Sequence, residues 1–379
     1  MADVGSLSID ATSVVQGAPI VFTYSVPADH ASDTNWIGIW AADGGGAPVD
    51  GEYVASQITY QYSPGTSGTV TISSGLLPPG TEYVAYYLYN DGYTSLATPV
   101  LFTVNVGKQL PPPRFRDDFG RHGRIRLDSP VGMTLDERGR FWVADTGSRD
   151  VRVFNRRGHG VGVIGQGVLR EPEDVAVFGD RAFVADADRN TVTVFDQRGR
   201  HLGEIGQGDV ELPRGVTVDG SGRLLVADVG NNRVAVFDPK SGALITSITD
   251  EIHIPFGFCV AGSRTWVVSS SRQFDGDPGV TAYVDDQPTV TLGYGQHSVY
   301  GGLSNPAHVA VDRAGLVLVS VPDFGFVSRF RDNGPFVGEF GTSGHGLLRF
   351  PHGVLVGQRG DIFVADTGNG RIARFGGSR

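Results

Sequence analysis

Six prolines recur along the second part of the chain, and the residues that follow them include side chains able to do acid–base chemistry. The prolines are Pro130, Pro172, Pro213, Pro255, Pro306 and Pro351, at spacings of 42, 41, 42, 51 and 45 residues. The first position after proline holds Val131, Glu173, Arg214, Phe256, Ala307 and His352, and the second holds Gly132, Asp174, Gly215, Gly257, His308 and Gly353. Two carboxylates, a guanidinium and two imidazoles at one point of a repeat are the groups that acid–base catalysis, or a divalent metal, would need.

The repeat around each proline predicts the elements that would hold these side chains. Each proline opens an apolar strand, a glycine turn, a strand ending in Val-Ala-Asp, a polar turn and a strand ending in Val-Phe, as in residues 130–154. This period is typical of a four-stranded propeller blade, so six starts predict six blades. Since the innermost strands of a propeller all begin at one end of its central channel, the residues after the prolines are expected to line one mouth.

The last copy of the repeat ends after three strands, at Phe375. Residues 114–120, which precede the first copy, read as a fourth strand followed by a glycine. A ring closed by pairing the N- and C-terminal strands removes an exposed sheet edge, which gives a physical reason for that division.

Three of the copies carry a family resemblance. Residues 143–154, 226–237 and 364–375 resemble NHL repeats. The resemblance implies a six-bladed NHL-type β-propeller over residues 114–379. NHL propellers include interaction platforms, RNA readers and lyases such as peptidyl-hydroxyglycine amidating lyase and, more distantly, streptogramin lyase, so the fold leaves the function open.

The amidating-lyase comparison assigns a metal role to a particular histidine. Phe350-Pro-His-Gly-Val354 is similar to that family's repeat, in which the histidine after proline binds zinc. The resemblance implies that His352 is a metal ligand. His308, at the second position after its proline, is the candidate for a second ligand, Glu173 or Asp174 would complete a mixed set, and the candidate ion is zinc or calcium. The other blades carry no histidine at the first position, so the family's three-histidine set is not reproduced.

Two functions remain open at this stage. The first is a binding scaffold whose mouth and neighbouring loops hold a protein, peptide or small molecule. The second is a lyase or hydrolase, in which His308 and His352 act as base or metal ligands, Glu173 or Asp174 as acid, and Arg214 holds an anionic group.

The fourth and fifth copies depart most from the repeat. They contain an insertion at 272–279 and a long exit loop at 292–305, both expected on the mouth side. Binding residues concentrate on such loops. The predicted ligand-binding residues are Phe256, Arg272, Tyr294, His297, Tyr300 and Asp323.

Other polar residues of the repeat are expected to be structural. Asp145, Asp186, Asp228 and Asp366 end the Val-Ala-Asp strands, and a side chain that recurs in most blades answers a recurring backbone need. Their expected partners are Asn232 with Arg233 and Asn369 with Arg371. The one cysteine, Cys259, cannot form an internal disulfide and is expected in the core.

The first part of the chain differs in charge and composition. The whole chain has a net charge of −10, and residues 1–110 hold nine acidic side chains against Lys108 alone. Short alternating strands separated by Gly and Pro turns predict an immunoglobulin-like β-sandwich over 1–106. A Pro-rich linker is predicted at 107–113. The fold class is therefore all-β.

The acidic balance makes nucleic acid an improbable partner, because phosphate backbones repel it. The sequence shows no secretory signal and no apolar segment long enough for a membrane helix. We therefore expect a soluble protein, cytoplasmic or, as a processed mature form, secreted.

Overall fold

The protein is all-β in the part that the structure, a computed structural model, describes. That part comprises residues 4–16, 18–42, 57–74, 77, 79–105, 107, 109–270, 278–292, 303–332 and 334–376. It contains β-strands and short 3-10 turns, and no α-helix over these residues. The residues fall into two compact units, one with those up to 109 together with 334–337, and the other with 110–292, 303–332 and 338–376.

The first unit is built from eight strands. They are β1 (Ser6–Ile9), β2 (Ser13–Val15), β3 (Pro19–Ser25), β4 (Trp36–Ala41), β5 (Thr59–Tyr62), β6 (Ser67–Ser73), β7 (Glu82–Leu88) and β8 (Val100–Asn105), with a 3-10 turn at Ala28–His30. One sheet has the order β1-β3-β6 and the other β2-β8-β7-β4-β5. All pairs are antiparallel except β2 with β8.

Both sheets of this unit contribute to one apolar core. Alternate residues of β3, such as Phe22, pack with Ile37, Tyr83, Tyr87 and Phe102 of the larger sheet. This alternation is the two-residue period of a strand with one buried face. The tyrosine-rich strand β7 is therefore mainly core.

The second unit is built from 24 strands, one of which, β29, has its first two residues in the first unit. They are β9 (Phe115–Phe119), β10 (Pro130–Leu135), β11 (Phe141–Asp145), β12 (Asp150–Phe154), β13 (Gly160–Ile164), β14 (Pro172–Phe178), β15 (Arg181–Asp186), β16 (Thr191–Asp196), β17 (His201–Ile205), β18 (Pro213–Val218), β19 (Leu224–Asp228), β20 (Arg233–Phe237), β21 (Leu244–Ile248), β22 (Pro255–Ala261), β23 (Arg264–Ser269), β24 (Gly279–Val284), β25 (Gln287–Leu292), β26 (His308–Val311), β27 (Val317–Val321), β28 (Phe326–Phe330), β29 (Phe336–Phe340), β30 (Pro351–Val356), β31 (Ile362–Asp366) and β32 (Arg371–Phe375). Its 3-10 turns are Thr146–Ser148, Ala187–Arg189, Pro322–Phe324, Gly344–Gly346 and Thr367–Asn369.

These strands form repeated four-stranded sheets. Five have consecutive strands: β10 to β13, β14 to β17, β18 to β21, β22 to β25 and β26 to β29. The sixth has the order β30-β31-β32-β9, so its fourth strand comes from residues that precede the first sheet. Phe119 of β9 lies opposite Ile372 of β32.

The first strands of the six sheets are neighbours. β10 contacts β14, β14 contacts β18, β18 contacts β22, β22 contacts β26, β26 contacts β30, and β30 contacts β10. The second strand of each sheet is almost wholly buried, as the burial of every residue in β11, β19, β27 and β31 shows. Apolar runs of this kind are typical of strands covered on both faces.

Proline begins the first strand in five of the six sheets, as its fixed φ and missing N–H permit at a strand end. In these sheets the proline lies opposite the last residue of the second strand, for example Pro130 opposite Asp145, and a bulge follows. The fifth sheet differs, because β26 begins at His308, two residues after Pro306. There Val321 occupies the position of the aspartate, and Ala307 N–H donates instead to Ser320 O at 3.1 Å.

No helix among the described residues is long and apolar enough to cross a membrane.

Candidate functional site

The starts of the six first strands surround one cavity, which we call the mouth. Its lining residues are Val131, Gly132, Glu173, Asp174, Arg214, Gly215, Phe256, Ala307, His308, His352 and Gly353. The structure thus brings together the five predicted catalytic residues, which are spread over about 180 positions of sequence, and the predicted ligand-binding residue Phe256. Their chemical roles remain predictions.

Glycine at the second position lets neighbouring strands approach closely. A Cβ atom on Gly132 would lie 2.1 Å from Asp174 Oδ1, and one on Gly257 would lie 2.7 Å from His308 Cδ2. A Cβ on Gly353 would lie 2.4 Å from Val131 O. Any larger residue would therefore collide with the next strand, and only Asp174 and His308 project side chains at this level.

Arg214 is the cation of the mouth. Its Nη1 donates to Glu173 Oε1 at 2.6 Å, and its Cζ lies 5.5 Å from the centre of the Phe256 ring. The side chain of Glu173 is 7% exposed, whereas that of Arg214 is 33% exposed. One edge of the guanidinium is thus paired and one face is covered, while its remaining N–H groups make no hydrogen bond with the described residues and are available to a ligand.

Burial makes both mouth carboxyl groups weaker acids than exposed carboxyl groups. It raises the pKa of Glu173 from 4.5 to about 6, an effect that Arg214 opposes. Burial also raises the pKa of Asp174 from 3.8 to about 7, although Asp174 accepts hydrogen bonds from the N–H groups of Val175 at 2.8 Å and Val216 at 3.1 Å. Near neutral pH both groups can therefore exist as the protonated acid.

His352 is held in one tautomer. Its Nδ1 lies 3.0 Å from Phe350 O and 3.0 Å from Thr367 Oγ1, and the Thr367 hydroxyl itself donates to Pro130 O at 2.6 Å. Because a carbonyl oxygen can only accept, Nδ1 carries the proton and Nε2 keeps its lone pair. Burial lowers the pKa of His352, so the ring is a neutral base.

His308 lies deeper than His352. Its Nδ1 is buried and makes no hydrogen bond with the described residues, and burial lowers its pKa to about 4. Ser320 joins the two histidine-bearing strands: its hydroxyl accepts from His308 N–H at 3.0 Å and contacts the carbonyl of His352 within hydrogen-bond distance. Sequence analysis did not predict a role for Ser320. The available signal was its departure from the repeat, because the other repeats have an apolar residue, usually alanine, at this position.

The described residues of the mouth do not make up a zinc site. Structural and catalytic zinc sites use at least three protein ligands. Across the described ranges no group of three His, Cys, Asp or Glu side chains comes together in a geometry that could hold a metal ion. His308 and His352 would provide at most two ligands, so we derive no step through a metal.

The remaining predicted ligand-binding residues lie apart from this cluster. Arg272, Tyr294, His297 and Tyr300 lie outside the described residues. Asp323 is in the 3-10 turn after β27, is exposed, and its charge favours the protonated form of His352. The structure therefore places Asp323 within electrostatic reach of the mouth without making it part of the lining.

A second cavity of about 310 Å³ lies along the same six strands. Asp174 and His308 line this cavity as well as the mouth, so they separate the two spaces. Cys259 also lines it and is half-buried rather than part of a packed core, and burial raises the pKa of its thiol to about 11.

The repeated aspartates accept hydrogen bonds from backbone N–H groups. Asp145 accepts from the N–H groups of Asp128 and Ser129, and Asp366 accepts from Arg349 N–H at 2.7 Å. They tie down the loop that enters their own sheet as well as the turn that follows.

One expected partner of these aspartates is wrong. Asn231 donates to Asp228 at 3.0 Å, whereas Asn232 adopts φ 50° and its Oδ1 accepts from Ile254 N–H at 3.1 Å. Asn369 and Arg371 do bind Asp366.

Comparison with known families shows NHL repeats in this chain. The NHL repeat family matches residues 211–237 and 348–375, which contain the first three strands of the third and sixth sheets. The prediction of NHL repeats is therefore confirmed at these two places. No curated protein matches the chain.

Solved structures share the fold at low sequence identity. An auxiliary nutrient binding protein from Bacteroides ovatus is 12% identical, with 98% of this chain and 97% of that chain covered and a TM-score of 0.52. Catalytically inactive virginiamycin B lyase from Staphylococcus aureus with quinupristin is 13% identical, with 69% and 85% covered and a TM-score of 0.50. Hydrazine synthase from Kuenenia stuttgartiensis is 17% identical, with 67% and 78% covered and a TM-score of 0.51.

These similarities concern the fold and not the chemistry. They agree with an all-β protein built on propeller-type sheets, as predicted. The immunoglobulin-like character of the first unit and the resemblance to peptidyl-hydroxyglycine amidating lyase stay predictions.

Proposed function

We propose that residues 114–379 form a closed six-bladed NHL-type propeller that binds a protein, peptide or small-molecule ligand at its mouth. In this proposal the pairing of β9 with β32 closes the ring. Residues 1–106 are an immunoglobulin-like accessory domain, and 107–113 are a linker. The cyclic contacts of the six first strands support the ring.

One observation carries the binding function: an arginine with free N–H groups sits in a cavity beside two buried carboxyl groups and two neutral imidazoles. Buried ionisable groups are costly to a fold and concentrate at functional sites. A few convergent polar groups in a concave, partly apolar site are what ligand recognition requires.

The test compares ligand binding by a mouth variant and a matched surface variant. A thermal-shift screen of peptides and small metabolites identifies ligands of the wild-type protein. Arg214→Ala with His352→Ala should lose them, whereas Arg157→Ala with His159→Ala, an exposed pair on the turn after β12, should retain them. Ligands that bind the mouth variant as tightly as the wild type would contradict the proposal.

A second candidate, a lyase or hydrolase, is favoured by the opposite pKa shifts in one cavity. His352 Nε2 is a base whose pKa is lowered, and Glu173 and Asp174 are acids whose pKa is raised. Groups with pKa values displaced in this way can exchange protons with a substrate near neutral pH. Arg214 would hold an anionic group of the substrate.

Quinupristin, the compound in the similar lyase structure, is the first substrate to test. A lyase cleaves its substrate without adding water, whereas a hydrolase adds one water, so the total mass of the products distinguishes the two. His352→Ala should lower either rate by about 10²–10⁴-fold. Turnover that is unchanged in His352→Ala would exclude the mouth as the active site.

A further inference from the structure

Three bulky apolar residues at the starts of the first strands have a strained backbone conformation. Leu212, Ile254 and Phe350 each precede a strand proline and have φ values of 50°, 47° and 49°. Left-handed backbone is unfavourable for bulky residues, and a following proline restricts the backbone further. Each residue lies two positions before a mouth residue, namely Arg214, Phe256 and His352. We call Leu212, Ile254 and Phe350 the rim.

The neighbouring turns hold the rim in this conformation. Leu212 N–H donates to Asn190 Oδ1 at 2.8 Å, and Ile254 N–H donates to Asn232 Oδ1 at 3.1 Å. The side chains gain little burial in return, because Leu212 is 43% exposed and Phe350 is 49% exposed. Strain that is held at an exposed apolar residue next to a polar cavity points to a role in contact with a ligand.

The mouth has room for a small group only. Its free volume is about 30 Å³, whereas one water molecule needs about 10–15 Å³ of such space. A carboxylate can enter, but an aromatic ring cannot. The body of any larger ligand must therefore lie outside this space, against the exposed part of the half-buried Phe256 and the rim.

We propose that the mouth binds an amphipathic carboxylate, with its anionic group on the free N–H groups of Arg214 and its apolar body on Phe256 and the rim. The proposal rests on the ligand-binding function above and names the class of ligand. Charge complementarity favours this ligand, since Arg214 is the cation of the lining and pairs with a single carboxylate among the described residues, that of Glu173. Arg–carboxylate pairs are strong because both partners are charged and planar.

Glu173 adjusts the charge of the site when the ligand arrives. It holds Arg214 in the free protein through one hydrogen bond of 2.6 Å. A second carboxylate on the same guanidinium disfavours the charge of Glu173. Glu173 therefore takes up a proton as the ligand binds, and Arg214 is left to pair with the ligand.

The experiment measures the binding of 4-phenylbutyrate by calorimetry at pH 7 in two buffers of different ionisation enthalpy. We expect binding with net uptake of up to one proton, and no binding of the neutral analogue 4-phenylbutanol. Arg214→Gln should weaken binding by about 10–100-fold. Glu173→Gln should tighten binding and abolish the proton uptake.

The rim is tested with two leucines of equal exposure. Leu212 and Leu202 are both 43% exposed, but Leu202 lies on the outer strand β17. Asparagine tolerates the left-handed backbone. Leu212→Asn should therefore weaken the binding of 4-phenylbutyrate severalfold and leave the binding of acetate unchanged. Leu202→Asn should change neither.

The outcomes separate this inference from the function on which it rests. Binding of 4-phenylbutyrate that is insensitive to both Arg214→Gln and Glu173→Gln overturns the inference. No binding of 4-phenylbutyrate, together with a screened ligand that the mouth variant loses, also overturns it and leaves the binding function standing. If screened ligands all bind away from the mouth, both fail.

Discussion

The orientation of His352 depends on a hydroxyl in the 3-10 turn after β31 of the same sheet. The Thr367 hydroxyl accepts from Nδ1 and donates to Pro130 O, so one side chain orients the imidazole and joins the sixth sheet to the first. A position that is occupied by a threonine in both the first and sixth repeats gives no hint of this second role. Thr146 makes only the corresponding link to Pro172 O, at 2.6 Å.

Removing this hydroxyl should loosen the His352 ring without changing its tautomer, because the Phe350 carbonyl still accepts from Nδ1. In Thr367→Val we expect a loss of about 1 kcal/mol of stability and a more mobile His352 ring that keeps the Nδ1–H tautomer. Imidazole ¹⁵N NMR measures the tautomer and the mobility of the ring, and Thr146→Val, which removes only the inter-sheet bond, is the control. A His352 ring as ordered in Thr367→Val as in the wild type would contradict the assigned role.

Glu173 should make stability depend on pH with a defined sign. Arg214, Glu171 and Asp174 are the charged groups that act on it, and burial raises its pKa from 4.5 to about 6. The folded state thus favours the protonated acid: this stabilisation is present below pH 4.5 and is lost as the pH rises through 6. A difference of this size is worth about 2 kcal/mol.

The side chain in Glu173→Gln is neutral at every pH, so the variant should not lose stability as the pH rises. The stability of the variant relative to the wild type should rise by about 2 kcal/mol between pH 4.5 and 7, as measured by denaturant unfolding of the second unit. Asp188→Asn, at an exposed carboxylate, should show no such trend. A relative stability that falls with pH would mean that Arg214 dominates and that the pKa of Glu173 is low.

At the scale of the element, the repeat explains why the mouth could be predicted. Every repeat gives the residue after proline the same topological position. Because the six first strands are neighbours, residues that recur at this spacing in sequence lie close together in the structure. Side-chain direction does not follow from spacing. For this reason Asn231 rather than Asn232 binds Asp228, and Ser320 at an alanine position was missed.

The residue before proline is a second case in which local rules fail. Sequence rules assign extended backbone to it, whereas Leu212, Ile254 and Phe350 have positive φ. The turn geometry of the entering loop, fixed by Asn190 and Asn232, overrides the local preference. No pattern of single residues signals this conformation, because the residues concerned are ordinary apolar ones.

A substitution that relieves the backbone strain at the rim should stabilise the protein. Leu212→Asn should stabilise the protein by about 1 kcal/mol, because asparagine adopts φ near 50° at lower cost. Leu202→Asn, on a regular strand, should be neutral or slightly destabilising. Thermal unfolding compares the two, and an equal effect of both substitutions would show that the conformation of Leu212 carries no strain.

At the scale of the whole repeat array, β9 connects the first sheet of the array to the last. It pairs with β32 in the sixth sheet, while its Phe119 packs against Phe141 and Phe154 of the first sheet at ring-centre distances of 5.0 and 5.2 Å. The sequence predicted this strand from an incomplete last repeat. A strand shared in this way makes the first and sixth sheets depend on each other.

Phe119→Ala should therefore destabilise the array more than its partial burial implies. We expect a loss of about 2–4 kcal/mol and a cooperative loss of protection from hydrogen exchange in β10, β11, β31 and β32. Phe178→Ala, at a phenylalanine that is 45% exposed, is the control and should cost less than about 0.5 kcal/mol. Protection that is lost only in β9 would contradict a connecting role.

A crystal structure of the protein with 4-phenylbutyrate tests the central claim most directly. The account predicts six four-stranded sheets around one axis, with the ligand carboxylate on Arg214 and the phenyl ring against Phe256 and the rim. A different number of sheets, or a carboxylate bound away from Arg214, would contradict it.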